Sequence, residues 1–186
     1  MDYYKYLDLI QQVEEDIWLR KINEGRLDGR FCSWIPTFHS EQLVCHLEGD
    51  SMNGSYNVCQ KFAFDDGTVW ILRLPRVASI SSQYADEEIV TEMEVEALGV
   101  LRKRTTIPVP KVGTWGAQNN PLGLGPFLIM DFIGGIRLGR TMIAPGSRLI
   151  TEDIRDADIE FLYRQMAMFM LQMFDIDIDR IGSPCM

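Results

Sequence analysis

The sequence has little positive charge, few histidines and no long apolar run, and each shortage removes a class of function. Lys and Arg number 18 against 27 Asp and Glu, for a net charge of −9. A nucleic-acid or anionic-membrane surface needs a basic patch to release counterions, so neither partner is expected. No segment reaches membrane-spanning length, and the opening MDYYKYLDL has acids and tyrosines where a secretory leader would carry a basic start and an apolar run. The expectation is a soluble cytoplasmic protein. Cys32, Cys45, Cys59 and Cys185 lack C-x-x-C spacing and a histidine to complete a zinc set, so they read as reduced, idle thiols.

What is there suits a globular chain. The 186 residues, 46% hydrophobic and 24% charged, are enough for one domain with a proper core or for two small lobes. Residues 5–24 place Tyr6, Ile10, Val13 and Ile17 at helical spacing, which predicts an amphipathic helix packed on that stripe, with Gly25 as its stop. From Gly25 to Gly54 the pattern is irregular, with one short helix expected at 40–47. NVCQKFAF and TVWILRL then flank Asp65-Asp66-Gly67, a strong hairpin signal, and Pro75 stops the pairing.

Further on, residues 84–104 read as a helix, and TIPVPKV is held extended by Pro108 and Pro110. A short strand at VGTWG precedes a Pro/Gly-rich loop, and PFLIMDFI is a continuous apolar run suited to a buried strand, ended by Gly134-Gly135. Residues 136–150 are irregular. A last helix at 152–174 starts at Thr151 and carries Leu162, Met166, Phe169, Met170 and Met173 as its buried stripe.

Two charges sit where apolar residues are expected. Alternation in VWILRL puts Val69, Ile71 and Arg73 on one face and Trp70, Leu72 and Leu74 on the other. A guanidinium inside so apolar a strand cannot lose its proton and is costly without a partner. In the helix at 84–104, counting 100° per residue puts Val90, Ala97, Leu98 and Leu101 within about 60° of Glu94, a carboxylate in the middle of the apolar stripe. Arg73 and Glu94 are the expected mates. Lys61, on the neighbouring strand, is a rival cation whose facing the strand pattern leaves open, with an exposed lysine as the plainer alternative.

The order GSYN, hairpin, WILRLP, helix with an inward glutamate, TIPVPKV, GPFLIMDFI and Gly-Gly resembles the small lobe of the aminoglycoside phosphotransferase-like proteins, which share the protein-kinase-like fold. The resemblance is to the fungal members, spans about residues 50–183, and is most specific in TTIPVPKV and GPFLIMDFIGG. It implies an α+β fold: an antiparallel sheet with one packed helix, then the first helix of an incomplete large lobe. The parts would be an extension at 1–49, a small lobe with its linker at 50–135, and the start of a large lobe at 136–186.

The resemblance also implies roles. Arg73 falls where the family places the basic residue that meets nucleotide phosphates, and Glu94 where the helix supplies its ion-pair partner. The turn carrying Ser55 and Asn57 matches the phosphate-side loop, and an ordinary hairpin turn is the equal alternative there. The backbone of Asp131 and Ile133 would meet the adenine edge, with the Met130 side chain behind it. ATP and Mg²⁺ are the cofactors of the complete fold.

The family's H-G-D catalytic loop and later metal-binding aspartate are not found: His39 and His46 are followed by Ser40 and Leu47 and precede the lobe. Asp175-Ile176-Asp177-Ile178-Asp179 is no calcium loop, since Arg180 and Met186 stand where Gly and Glu are required. The expectation is therefore a nucleotide-binding lobe that is catalytically incomplete as this chain. Its alternative is a non-catalytic interaction protein that uses the Met/Phe face of the helix at 152–174 to bind a partner or itself.

Overall fold

A computed structural model of the chain describes residues 3–76, 87–116, 120–136, 138–144, 146, 151 and 153–177. It is an α+β fold built on a five-stranded antiparallel sheet with strand order β1-β2-β3-β5-β4. The strands are β1 (Cys45–Asn53), β2 (Asn57–Phe64), β3 (Val69–Pro75), β4 (Val112–Gly116) and β5 (Phe127–Asp131). The helices are α1 (Tyr3–Leu27), α2 (Arg30–Trp34), α3 (Glu87–Arg104), α4 (Leu138–Met142) and α5 (Asp156–Phe174). Expected helix residues 84–86 and 152 lie outside the described residues, as does Cys185.

The β2–β3 hairpin follows from its sequence. Gly67 adopts φ 85°, its N–H donates to the Phe64 carbonyl, and the Phe64 N–H donates to the Thr68 carbonyl. That three-residue loop sets Ala63 opposite Val69, hence Lys61 opposite Ile71 and Cys59 opposite Arg73. With the register fixed, Val58, Gln60, Phe62, Phe64, Leu72 and Leu74 all point to one face and are buried.

That face is covered by the N-terminal segment. Trp18 and Ile22 of α1, Phe31 and Trp34 of α2 and Ile35 of a short 3₁₀ turn (Ile35–Phe38) join it in one core. Trp34 meets Phe127 edge-on with ring centroids 4.8 Å apart, and the Trp18 indole N–H donates to the Leu124 carbonyl at 2.9 Å. Burial also keeps the Cys45 thiol unreactive: beside Cys32, its pKa is pushed up to about 12.

Several expectations are corrected. The stripe Tyr6, Ile10, Val13 and Ile17 is exposed, and α1 packs instead through Trp18, Ile22 and Gly25. Gly25 does not stop the helix; a Cβ there would lie 3.0 Å from Leu122, so glycine serves close packing, and the chain turns at Gly29 with φ 80°. No helix forms at 40–47. Cys45–Asn53 is an edge strand paired to β2, so the expected boundary at 49/50 falls inside β1, and the helices before it share the core of the sheet. Residues 138–142 are a short helix where irregular chain was expected.

α5 begins at Asp156, and none of its residues is buried. Met166, Met170 and Met173, expected in a buried stripe, are exposed, while Leu162 and Phe169 are half-buried. The Gln172 side-chain oxygen of α5 accepts from the backbone N–H and hydroxyl of Thr106 at 2.6 and 2.9 Å. Among the described residues no helix is long and apolar enough to cross a membrane.

Candidate functional site

The candidate site lies on the other face of the sheet, the one turned toward α3. Leu72 and Leu74 commit β3 to the core, so Arg73 between them must point away from it. There the Arg73 Nη1 donates to the Glu94 Oε1 of α3, so the two charges singled out in the sequence do meet. The Arg73 and Glu94 side chains are 28% and 36% exposed, so this is a half-buried pair and not the fully buried one that an apolar stripe around Glu94 implies. The cause lies in α3, where Val90 is exposed and Ala97, Leu98 and Leu101 of the apolar stripe are only half-buried. Guanidinium carries five N–H donors, and the single bond to Glu94 is the only one Arg73 makes among the described residues.

Register brings further groups to the same face. Cys59 stands opposite Arg73, and its thiol pKa is raised by burial, against the opposing pull of the Arg73 charge. One row along, Lys61, Ile71 and Met130 lie opposite one another across β2, β3 and β5. Lys61 is thus on the Arg73 face and only 20% exposed. Its Nζ donates to Glu48 Oε1 at 2.7 Å and sits 4.0 Å from the centroid of the Phe132 ring. The plainer alternative of an exposed lysine is corrected. Its facing was readable from the hairpin loop, because placing Phe62 and Phe64 in the core turns Lys61 the other way.

The remaining predicted residues flank Arg73 at opposite ends of the sheet. Met130 is buried beneath this face. The Asp131 N–H donates to the Lys111 carbonyl at 2.9 Å and the Phe132 N–H to the Val69 carbonyl at 3.0 Å, which fixes how the chain leaves β5. Ile133 is exposed and makes no hydrogen bond among the described residues. Asp131 stands opposite Trp70, three residues from Arg73 along β3, or about 10 Å.

At the other end, Asn57 is opposite Pro75, and Ser55 is exposed in the β1–β2 turn. The Gly54 N–H donates to the Asn57 carbonyl at 2.9 Å. Sequence reasoning missed the residue that holds this turn: Arg76 donates from Nε to the Gly54 carbonyl at 2.7 Å and from Nη1 to Glu15 of α1. Its place directly after Pro75 was the available signal. Among the described residues, no group of three or more His, Cys, Asp or Glu side chains could hold a metal ion.

Models of known protein families give no match to this sequence, and curated proteins give none either.

Proposed function

We propose that the chain is the nucleotide-binding lobe of an intracellular, ATP-dependent phosphotransferase of the aminoglycoside phosphotransferase-like, protein-kinase-like type. The observation that carries this reading is the Arg73–Glu94 pair. A carboxylate from the helix fixes the direction of a cation on the sheet, and the cation keeps donors for phosphate oxygens. Support also comes from the linker, which lies about 10 Å along β3 from Arg73, a separation suited to a purine at one end and phosphates at the other. Under this reading Met130 backs the base, Asp131 and Ile133 offer backbone groups to its edge, and the turn of Ser55 and Asn57 covers the phosphates. Bound ATP would supply a transferable γ-phosphoryl group.

The described residues do not by themselves fit a Mg²⁺ centre, since the acids on this face, Glu94 and Glu48, are each spent on a cation. The lobe therefore binds and orients, and the acceptor and its base belong to motifs not found in these 186 residues. Titration with Mg-ATP tests the reading. A saturable rise in melting temperature that is lost in Arg73→Ala is expected, and no rise at millimolar ATP, in a folded protein, overturns it.

A second reading is favoured by α5, a largely apolar helix with no buried residue. A helix this apolar ordinarily lies inside a fold or against a partner. The lobe would then serve as a scaffold for a protein partner or a second copy. Sedimentation of the wild type against Met166→Lys/Met170→Lys distinguishes it, because only the scaffold reading expects an oligomer that the lysines dissociate.

A further inference from the structure

A cavity of about 340 Å³ opens between the second half of α3 and residues 110–112. Val95, Leu98, Pro110 and Val112 give it apolar walls, and its volume falls in the range of small-molecule sites. Its charged lining is three cations, Arg102, Lys103 and Lys111, to one acid, Glu96, in a chain whose net charge is −9. Cations in the last turn of a helix complement its dipole, which accounts for Arg102 and Lys103 but not for Lys111, which lies beyond the helix. Glu96 is engaged within the protein, although its buried Oε2 accepts no hydrogen bond, and the exposed Lys111 side chain has no partner among the described residues.

A second observation is independent of charge. Gly99 lines this cavity from the middle of α3, and a Cβ built on it would meet nothing within 4 Å. Glycine inside a helix costs stability relative to alanine, and here no close approach of a neighbour requires it. What the missing side chain preserves is open volume.

We propose that this cavity is a binding site for a small amphipathic carboxylate, its apolar body against Val95, Gly99 and Val112 and its head group at Lys111. An uncharged apolar molecule would fill the same walls but leave the exposed Lys111 ammonium to water, so the site should prefer the anion.

Calorimetric titration of the full chain with octanoate and with octanol tests the assignment. Saturable one-to-one binding of octanoate is expected, with octanol about tenfold weaker or more. Lys111→Gln should erase that preference by weakening octanoate alone. Gly99→Leu should abolish binding of both, and Gly99→Ala should weaken both while raising the melting temperature, since alanine favours the helix. The proposal is overturned if octanoate does not saturate, if octanol binds as tightly, or if a folded Gly99→Ala or Gly99→Leu protein binds octanoate like the wild type. None of these measurements involves ATP, so their outcome is separate from that of the nucleotide titration.

Discussion

The two faces of the sheet differ in kind. On the face covered by α1 and α2, Phe62, Leu72 and Ile129 are fully buried against Phe31 and Ile35, and aromatic rings meet edge-on across the layers. On the face toward α3, Cys59, Lys61, Ile71 and Arg73 are half-buried and two of them carry charge. Apolar burial stabilises at about 25 cal/mol per Å², whereas a half-exposed ion pair returns little after desolvation. On β2 and β3 one side thus holds the fold and the other tolerates looser packing to present charge, while Leu128 and Met130 of β5 are buried on that second side. The residue type at each position follows from which side it faces, and α3 is tied down by less than the helices opposite it.

The largest expected effect attacks the first face. Phe62→Ala should lower unfolding free energy by about 3–5 kcal/mol, measured by urea denaturation, because the cavity left in a dense core cannot collapse. Ile71→Ala, one strand over and on the opposite face, should cost clearly less, about 1–2 kcal/mol, since its site is already half open. Equal losses would erase the contrast between the faces.

A smaller effect sharpens what the second face is for. Arg73→Met leaves the Glu94 carboxylate half-buried without its cation and should cost about 1–2 kcal/mol, less than for a fully buried pair because both side chains keep solvent. Adding Glu94→Leu should recover most of that loss, so that the double variant lies within about 0.5 kcal/mol of wild type. Such a result would show a pair kept for something other than stability. A double variant as unstable as the single would make the pair a structural tie.

How much of this was legible depended on whether a local rule or a tertiary choice decided it. The hairpin was readable because three turn residues fix its register, and the register then assigns every side chain from Asn57 to Pro75 to a face. Glu94 was found by helix counting, since the period of an α-helix is stiff enough to select it over Glu92 and Glu96. β1 was missed because HLEGDSMN neither alternates nor carries strand formers, and its pairing to β2 is imposed by the neighbour, with a bulge between Glu48 and Met52. The faces of α1 and α5 were misassigned for a different reason. Periodicity reveals that a stripe exists, but Trp18, Ile22 and the close approach of Gly25 to Leu122 decided which part of α1 meets the core.

The smallest effect concerns the turn where the two faces meet. Asp66 accepts from the Thr68 backbone N–H at 2.8 Å and from its hydroxyl at 2.9 Å, and the His39 Nε2 lies 3.7 Å away. His39 is stacked on Phe64 and close to Trp70, so the turn is bound to the helix-covered side. These contacts, the Thr68 N–H first, hold the Asp66 carboxyl below its ordinary pKa. A depressed folded-state pKa stabilises the protein above the unfolded carboxyl range of about 4, and that contribution disappears as the pH falls through the lower folded value. Asp66→Asn should therefore be slightly less stable than wild type at neutral pH, and the two should converge on acidification below about pH 4. Melting curves across that interval would check it, and a gap that stayed constant with pH would mean that the turn depends on the shape of the side chain and not on its charge.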